Sequence, residues 1–344
     1  KLLAPNANTA GCTGGCGRLM TRSTVQRWPA LLLPPLLLML AAGPVMAAET
    51  VDRGAFSLLY RAVFGNRDDS AAAERPPTPM RVIGAGLGRT GTSSLNAALK
   101  QLGHKPYHMA EGVVDQGHEA QWRRVVEASL AGNTSEFKAA TDAVIDLIAT
   151  EGFDATTDYP ACLIFEELLR RYPDAKVILS TRSSGKSWAK SVLSSVGHIH
   201  NVIKHRPFSF LKKLRDGAVM TRGMYPMTGI KLDKDDVPEE KSLIASFDTW
   251  AAHVRKVVPP EKLLVHIATD GFAPLCAFLG VPHSDCPDEY PNVNDSAMIR
   301  RAILLFEIIT WIWFPAAVAI VLLIAYLLVC CFGRSTPNKA GKSQ

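Results

Sequence analysis

Gly84-Ala85-Gly86-Leu87-Gly88-Arg89-Thr90-Gly91-Thr92-Ser93 follows Arg81-Val82-Ile83 and precedes a run in which Leu95, Ala98, Leu99 and Leu102 recur at helical spacing. The apolar residues before it read as a short buried strand, and the periodic run as a helix over 93–102 stopped by Gly103. A glycine-rich turn from strand to helix lets backbone N–H groups curl around an anion, with the helix N-terminus behind them. The same alternation continues outward. Residues 153–158 read as a strand ending at Tyr159-Pro160, 161–171 as an amphipathic helix, and 175–180 (AKVILS) as a strand buried on both faces. Helices are expected over 184–195 and 239–257, and a last strand over 262–268. Strands alternating with helices predict an α/β fold, a doubly wound parallel sheet with helices on both faces. Such sheets bind ligands at the carboxyl ends of their strands.

Three chemistries compete for the turn. Gly86-x-Gly88-x-x-Gly91 has dinucleotide-binding spacing, which also requires a second strand ending in an acid about 20 residues on. Glu111 stands near that distance, yet Lys105-Pro106-Tyr107-His108-Met109 is a poor strand with a proline inside it. Gly86 and Gly91 also fit a nucleoside-triphosphate loop, but Thr92 takes the place of its lysine, and no following hydrophobic strand ends in a Mg²⁺-binding aspartate. A P-loop kinase or NTPase therefore stands as a rival. In the third reading the cation lies inside the loop, as Arg89-Thr90-Gly91-Thr92. This resembles the 5′-phosphosulfate loop of sulfotransferases that use 3′-phosphoadenylyl sulfate (PAPS), where Lys or Arg precedes Ser/Thr-Gly-Thr. The blocks 86–95 (GLGRTGTSSL), 105–109 (KPYHM), 158–160 (DYP), 172–182 (YPDAKVILSTR) and 275–282 (LCAFLGVP) resemble the P-loop sulfotransferase-like family over residues 82–294.

The resemblance implies a P-loop-type sheet and transfer of a sulfuryl group from PAPS to an acceptor hydroxyl or amine. It implies that the loop, with Gly88, Arg89, Thr90, Gly91, Thr92 and Ser93, holds the 5′-phosphate. Arg89 then neutralises the bridging oxygen as a fixed cation, because guanidinium does not deprotonate. It also implies a 3′-phosphate site at Arg182, with a serine eight residues on. Here the eighth position is Lys190, and Ser191 follows it. Removing the acceptor proton calls for a base. Asp158, closing a strand beside the loop strand, is one candidate and His108 the other, and a structural hydrogen-bonding role is open to both. Trp188 belongs either near the adenine or in the core. No metal is expected. The acceptor, whether carbohydrate, lipid or small molecule, is not legible. A non-catalytic membrane-anchored nucleotide-binding or scaffold protein of the same fold is the second rival.

Composition bounds these readings. The chain has 344 residues, 47% hydrophobic, which excludes disordered, collagen-like and disulfide-scaffold classes. A formal net charge of +6 gives no ground for a nucleic-acid partner. A mean hydropathy of +0.08 is high for a soluble protein, and the excess lies at the ends. Residues 1–47 read as a leader and signal peptide, with Arg22 and Arg27 before the apolar 30–42 and a small-residue site at Val45-Met46-Ala47. A transit peptide or uncleaved anchor is the alternative. Residues 48–78 read as a linker, 79–296 as the globular domain and 297–307 as juxtamembrane. Residues 308–333 form 26 residues without a charge and read as a transmembrane helix, followed by a basic cytoplasmic tail over 334–344. The expectation is a single-pass glycoprotein of the secretory pathway, its domain in the Golgi or ER lumen and the lipid bilayer among its partners. Asn133 and Asn294 begin sequons. Cys12 and Cys16 lack the second pair a zinc site needs, Cys276 and Cys286 either pair or stay free, and Cys330 and Cys331 are palmitoylation candidates. From Arg182 to Arg222 nine Lys and Arg stand against one acid, Asp216, a basic surface for solvent, an anionic acceptor or anionic lipid.

Overall fold

The computed structural model describes residues 77–293 and 296–332. The leader, Cys12, Cys16, the sequon at Asn294 and the basic tail lie outside the described residues, and so does the side chain of Cys331. Five parallel strands form one sheet in the order β2-β3-β1-β4-β5. They are β1 (Val82–Gly84), β2 (Pro106–Tyr107), β3 (Ala155–Thr156), β4 (Lys176–Ser180) and β5 (Leu263–His266). Val82 is in register with Ala155 on one side and Lys176 on the other, and Val177 with Leu263. The glycine-rich turn connects β1 to α1 (Thr92–Gln101). Then follow α2 (Glu119–Leu130), α3 (Thr134–Thr150), α4 (Phe165–Arg171), α5 (Gly185–Leu193), α6 (Ile199–Ile203), α7 (Lys212–Met227), α8 (Glu240–Val257), α9 (Phe272–Leu279) and α10 (Ser296–Phe332).

Successive strand residues point to opposite faces, and both faces are covered. Val82 and Ile178 pack with Leu95 and Leu99 of α1 and Leu275 of α9. Ile83, Val177 and Leu179 turn the other way, into a larger layer containing Trp122, Ile148, Phe165 and Val254. Full burial of each such aliphatic side chain contributes about 1.5–3 kcal/mol. The doubly wound arrangement expected from the sequence is therefore the observed one.

Three local expectations need correction. The strand expected over 153–158 is only Ala155–Thr156, because Asp158 takes φ 71° and turns the chain off the sheet. Helix 161–171 opens with a 3-10 turn over Ala161–Ile164 before α4 begins. Residues 105–109, set down as a poor strand, contribute β2 on the sheet edge. Pro106 is tolerated there because its missing N–H faces outward, while Tyr107 accepts from the Thr157 N–H at 2.8 Å on the paired side.

The chain leaves the domain through a stretch tied to it by a disulfide. Cys276 of α9 is joined to Cys286, and Tyr290 packs edge-on against Phe272 at 5.1 Å. Helix α10 begins at Ser296, twelve residues before the uncharged run, so residues 297–307 are its first turns. It is long and apolar enough to cross a membrane, and none of its most apolar stretch is buried. A soluble core helix of that hydropathy buries its apolar length; the most apolar stretch of this one is exposed.

Candidate nucleotide-binding and transfer site

The turn after β1 is held from outside by side chains distant in sequence. The indole N–H of Trp188 donates to the Gly88 carbonyl at 2.7 Å, and that of Trp250 to the Ala85 carbonyl at 2.7 Å. Trp188 is 1% exposed, which places it in the core beneath the loop. Thr90 is also buried: its hydroxyl donates to the Leu87 carbonyl at 2.6 Å and stands 2.7 Å from the Ser180 hydroxyl. The Nε–H of Arg182 donates to the Arg89 carbonyl. These contacts hold Arg89 at φ 71°, a left-handed conformation that costs a non-glycine residue roughly 1–2 kcal/mol. Gly91, at φ 92°, makes the last bend into α1 without that cost. Gly88 serves closeness: a Cβ there would stand 2.7 Å from Asp158 Oδ1. A Cβ would also meet the Tyr159 ring, at 2.6 Å from Cδ2, so a side chain here would push into both neighbours.

Four of the five strands present a candidate residue at the same carboxyl edge. Across the sheet their order is His108 after β2, Asp158 after β3, the Arg89 loop after β1 and Arg182 after β4. On the β4 side a cavity of about 450 Å³ opens, lined by Arg89, Gly91, Thr92, Ser93, Arg182 and Ser191. Ser187 and Lys190 of α5 and its C-cap Ser194 complete one wall, four positions with Ser191 at the i, i+3, i+4, i+7 spacing of one helix face. Asn292, Val293 and Ser296 form the opposite rim. Among the described residues three cations line this cavity, Arg89, Arg182 and Lys190, and no carboxylate does. Burial, and then the neighbouring Arg89 guanidinium, holds Arg182 below its ordinary value. Crowded, partly desolvated like charges are relieved by a bound polyanion.

His108 and Asp158 are not among the cavity's lining residues. They stand together on the β3 side of the loop, with His108 Nε2 3.2 Å from Asp158 Oδ2. His108 Nδ1 accepts the Ala110 N–H at 3.3 Å, so a neutral imidazole carries its proton on Nε2, facing the carboxylate. Both sequence candidates for the base thus occupy one place. Glu111 is engaged with Asn96 at 3.1 Å and with Lys100, both on α1, rather than closing a strand beside the loop.

Sequence reasoning missed part of the wall. Lys190 entered only as the residue displacing a serine, and Ser194 not at all; extending the helical period from Ser187 and Ser191 finds both. Asn292, Val293 and Ser296 had no local signal. Val293 N–H donates to Ser94 Oγ at 3.0 Å, and the Arg89 guanidinium donates to Ser296 Oγ across 207 residues of sequence.

Comparison with known proteins gives a consistent picture. The profile of a family described as a sulfotransferase domain matches residues 81–299. The chain is also similar to the Ava biosynthesis cluster protein M of Aspergillus versicolor, 33% identical over 222 residues, covering 63% of this chain and 82% of that protein.

Proposed function

The chain belongs to the sulfotransferase domain family, and from that premise we propose that it moves a sulfuryl group from PAPS to an acceptor hydroxyl or amine. The observation that carries this reading is the order along the sheet edge: a carboxylate–imidazole pair, then a cation-bearing loop, then a cavity lined by three cations. PAPS supplies the sulfuryl group and two phosphate positions. The Arg89 loop with Thr92 and Ser93 takes the 5′-phosphate, and Arg182, Lys190 and Ser191 take the 3′-phosphate. Thr90 supports the loop from below, since its hydroxyl is already bonded within the protein.

As the S–O bond to the donor phosphate breaks, negative charge grows on the departing oxygen. Arg89 meets that charge without moving, which is where a preorganised cation lowers a barrier. The proton leaves the acceptor toward the pair on the other side of the loop. Asp158 accepts it, and the His108 imidazole stands beside it, Nε2 3.2 Å from Oδ2. A lumenal or extracellular domain on a single membrane span is part of this reading, supported by the Cys276–Cys286 disulfide and by α10.

The test is nucleotide preference, read as thermal stabilisation of the full chain in nanodiscs. A ligand at ~100 times its dissociation constant stabilises by ~2.7 kcal/mol, a shift of roughly 5–10 °C for a domain of this size. Adenosine 3′,5′-bisphosphate is expected to give that shift, with ADP and NAD giving much less. Arg182→Ala should erase the difference between the bisphosphate and AMP. A larger shift with Mg-ATP would assign the chain to kinase or NTPase chemistry instead.

A further inference from the structure

Residues 199–215 take no part in the site described above. Val202, Ile203, Phe208 and Leu214 are buried together with Phe306 of α10, with Ile303 and Ile309 packed at the margin. Phe208 and Phe306 meet ring to ring at 4.9 Å. The segment is thereby fastened to α10 where its uncharged run begins.

Phe210 stays outside this cluster. It is 58% exposed, and its ring stands edge-on to Trp313 at 6.0 Å. Trp313 lies six residues beyond Glu307, the last charge before the uncharged run, or ~9 Å further along the helix axis. An exposed phenylalanine is thus held beside the first turns of an apolar span. Within residues 204–215 the other exposed side chains are His205 and the cations Lys204, Arg206, Lys212 and Arg215. The Arg206 guanidinium lies over the Phe210 ring at 5.3 Å. Lys204 is paired with Asp236 and Lys212 with Asp216. Among the described residues neither Arg206 nor Arg215 meets a carboxylate.

An exposed apolar ring under a guanidinium, in a basic segment at the start of an apolar span, matches the boundary between acyl chains and headgroup phosphates. We propose that residues 204–215 are a membrane-docking surface: Phe210 enters the bilayer beside α10, and Arg206 and Arg215 bind the phosphates of anionic phospholipid headgroups. The inference rests on α10 crossing a bilayer, and it adds a second contact that fixes the domain's orientation on the lipid.

Photocrosslinking tests it on the full chain in nanodiscs of phosphatidylcholine and phosphatidylglycerol. Leu322, exposed in the middle of α10, reports on the span, and Phe210 on the docking surface. Both Leu322→benzoylphenylalanine and Phe210→benzoylphenylalanine should yield lipid adducts. Adding Arg206→Ala and Arg215→Ala should cut the Phe210 adduct several-fold and leave the Leu322 adduct unchanged. A Leu322 adduct without a Phe210 adduct would overturn the docking surface while keeping the span. No adduct at Leu322 would overturn the span and the docking with it. An undiminished Phe210 adduct in the doubly substituted chain would overturn the headgroup contact.

Discussion

At the scale of single residues, Arg89 carries the sharpest consequence. Its backbone is held in a left-handed conformation by contacts to its own carbonyl and its neighbours', so the guanidinium is placed by the fold before any ligand arrives. A group positioned in advance acts mainly on the transition state. Arg89→Ala is therefore expected to reduce turnover ~10²–10³-fold while changing the affinity for adenosine 3′,5′-bisphosphate far less. Arg89→Lys should recover part of the rate, since the charge is kept and only the planar fork is lost. Steady-state kinetics beside nucleotide titration separate the two quantities, and unchanged turnover in Arg89→Ala would remove the residue from the mechanism. The pair on the other side of the loop is as dependent on neighbours. Asp158 reaches the loop because Gly88 leaves space for it.

At the scale of elements, the cavity is closed by a stretch that owes its position to the disulfide. Cys286 is anchored to α9, Tyr290 packs edge-on against Phe272 of that helix, and Asn292 and Val293 then reach the rim. Cys286→Ser is expected to lower stability by about 2–4 kcal/mol, the usual effect of opening a short native loop. It should also weaken bisphosphate binding, because the rim then has one tether fewer. Turnover at saturation should change little, since Arg89 and Asp158 are held by other elements. Chemical unfolding and nucleotide titration with and without reductant measure both effects. This stretch also marks the limit of what the sequence tells. Strands β1, β4 and β5 were legible because continuous apolar residues leave few alternatives to burial between helices. The loop was legible because a cation among glycines has few other uses. Strand β2 was not, since a proline argues against a strand until the strand is known to be an edge. The rim was not, because Ser94, Val293 and Ser296 are joined only by tertiary contacts over some two hundred residues. Whether Cys276 and Cys286 pair was open in sequence for the same reason.

At the scale of the whole molecule, topology is the testable quantity. Asn133 is exposed and caps α3, its Oδ1 accepting the Glu136 N–H at 3.0 Å. The cap uses the oxygen, and glycosylation would use the amide nitrogen, so the two roles are compatible. Expressed with microsomes, the chain is expected to lose mobility on a gel, with the shift removed by glycosidase and absent from Asn133→Gln. Digestion of the domain by protease added outside sealed microsomes would reverse the assigned orientation. The continuity of α10 has a consequence for encounter. Ser296 touches Arg89 at one end of a helix whose uncharged run starts twelve residues later, so with that run in a bilayer the cavity rim would stand ~18 Å along the axis from the lipid. An acceptor confined to the same bilayer meets this site by lateral diffusion in a thin layer. Its working concentration is then set by how many such molecules share each unit of membrane area. A freely dissolved acceptor of equal intrinsic affinity gains nothing from that confinement.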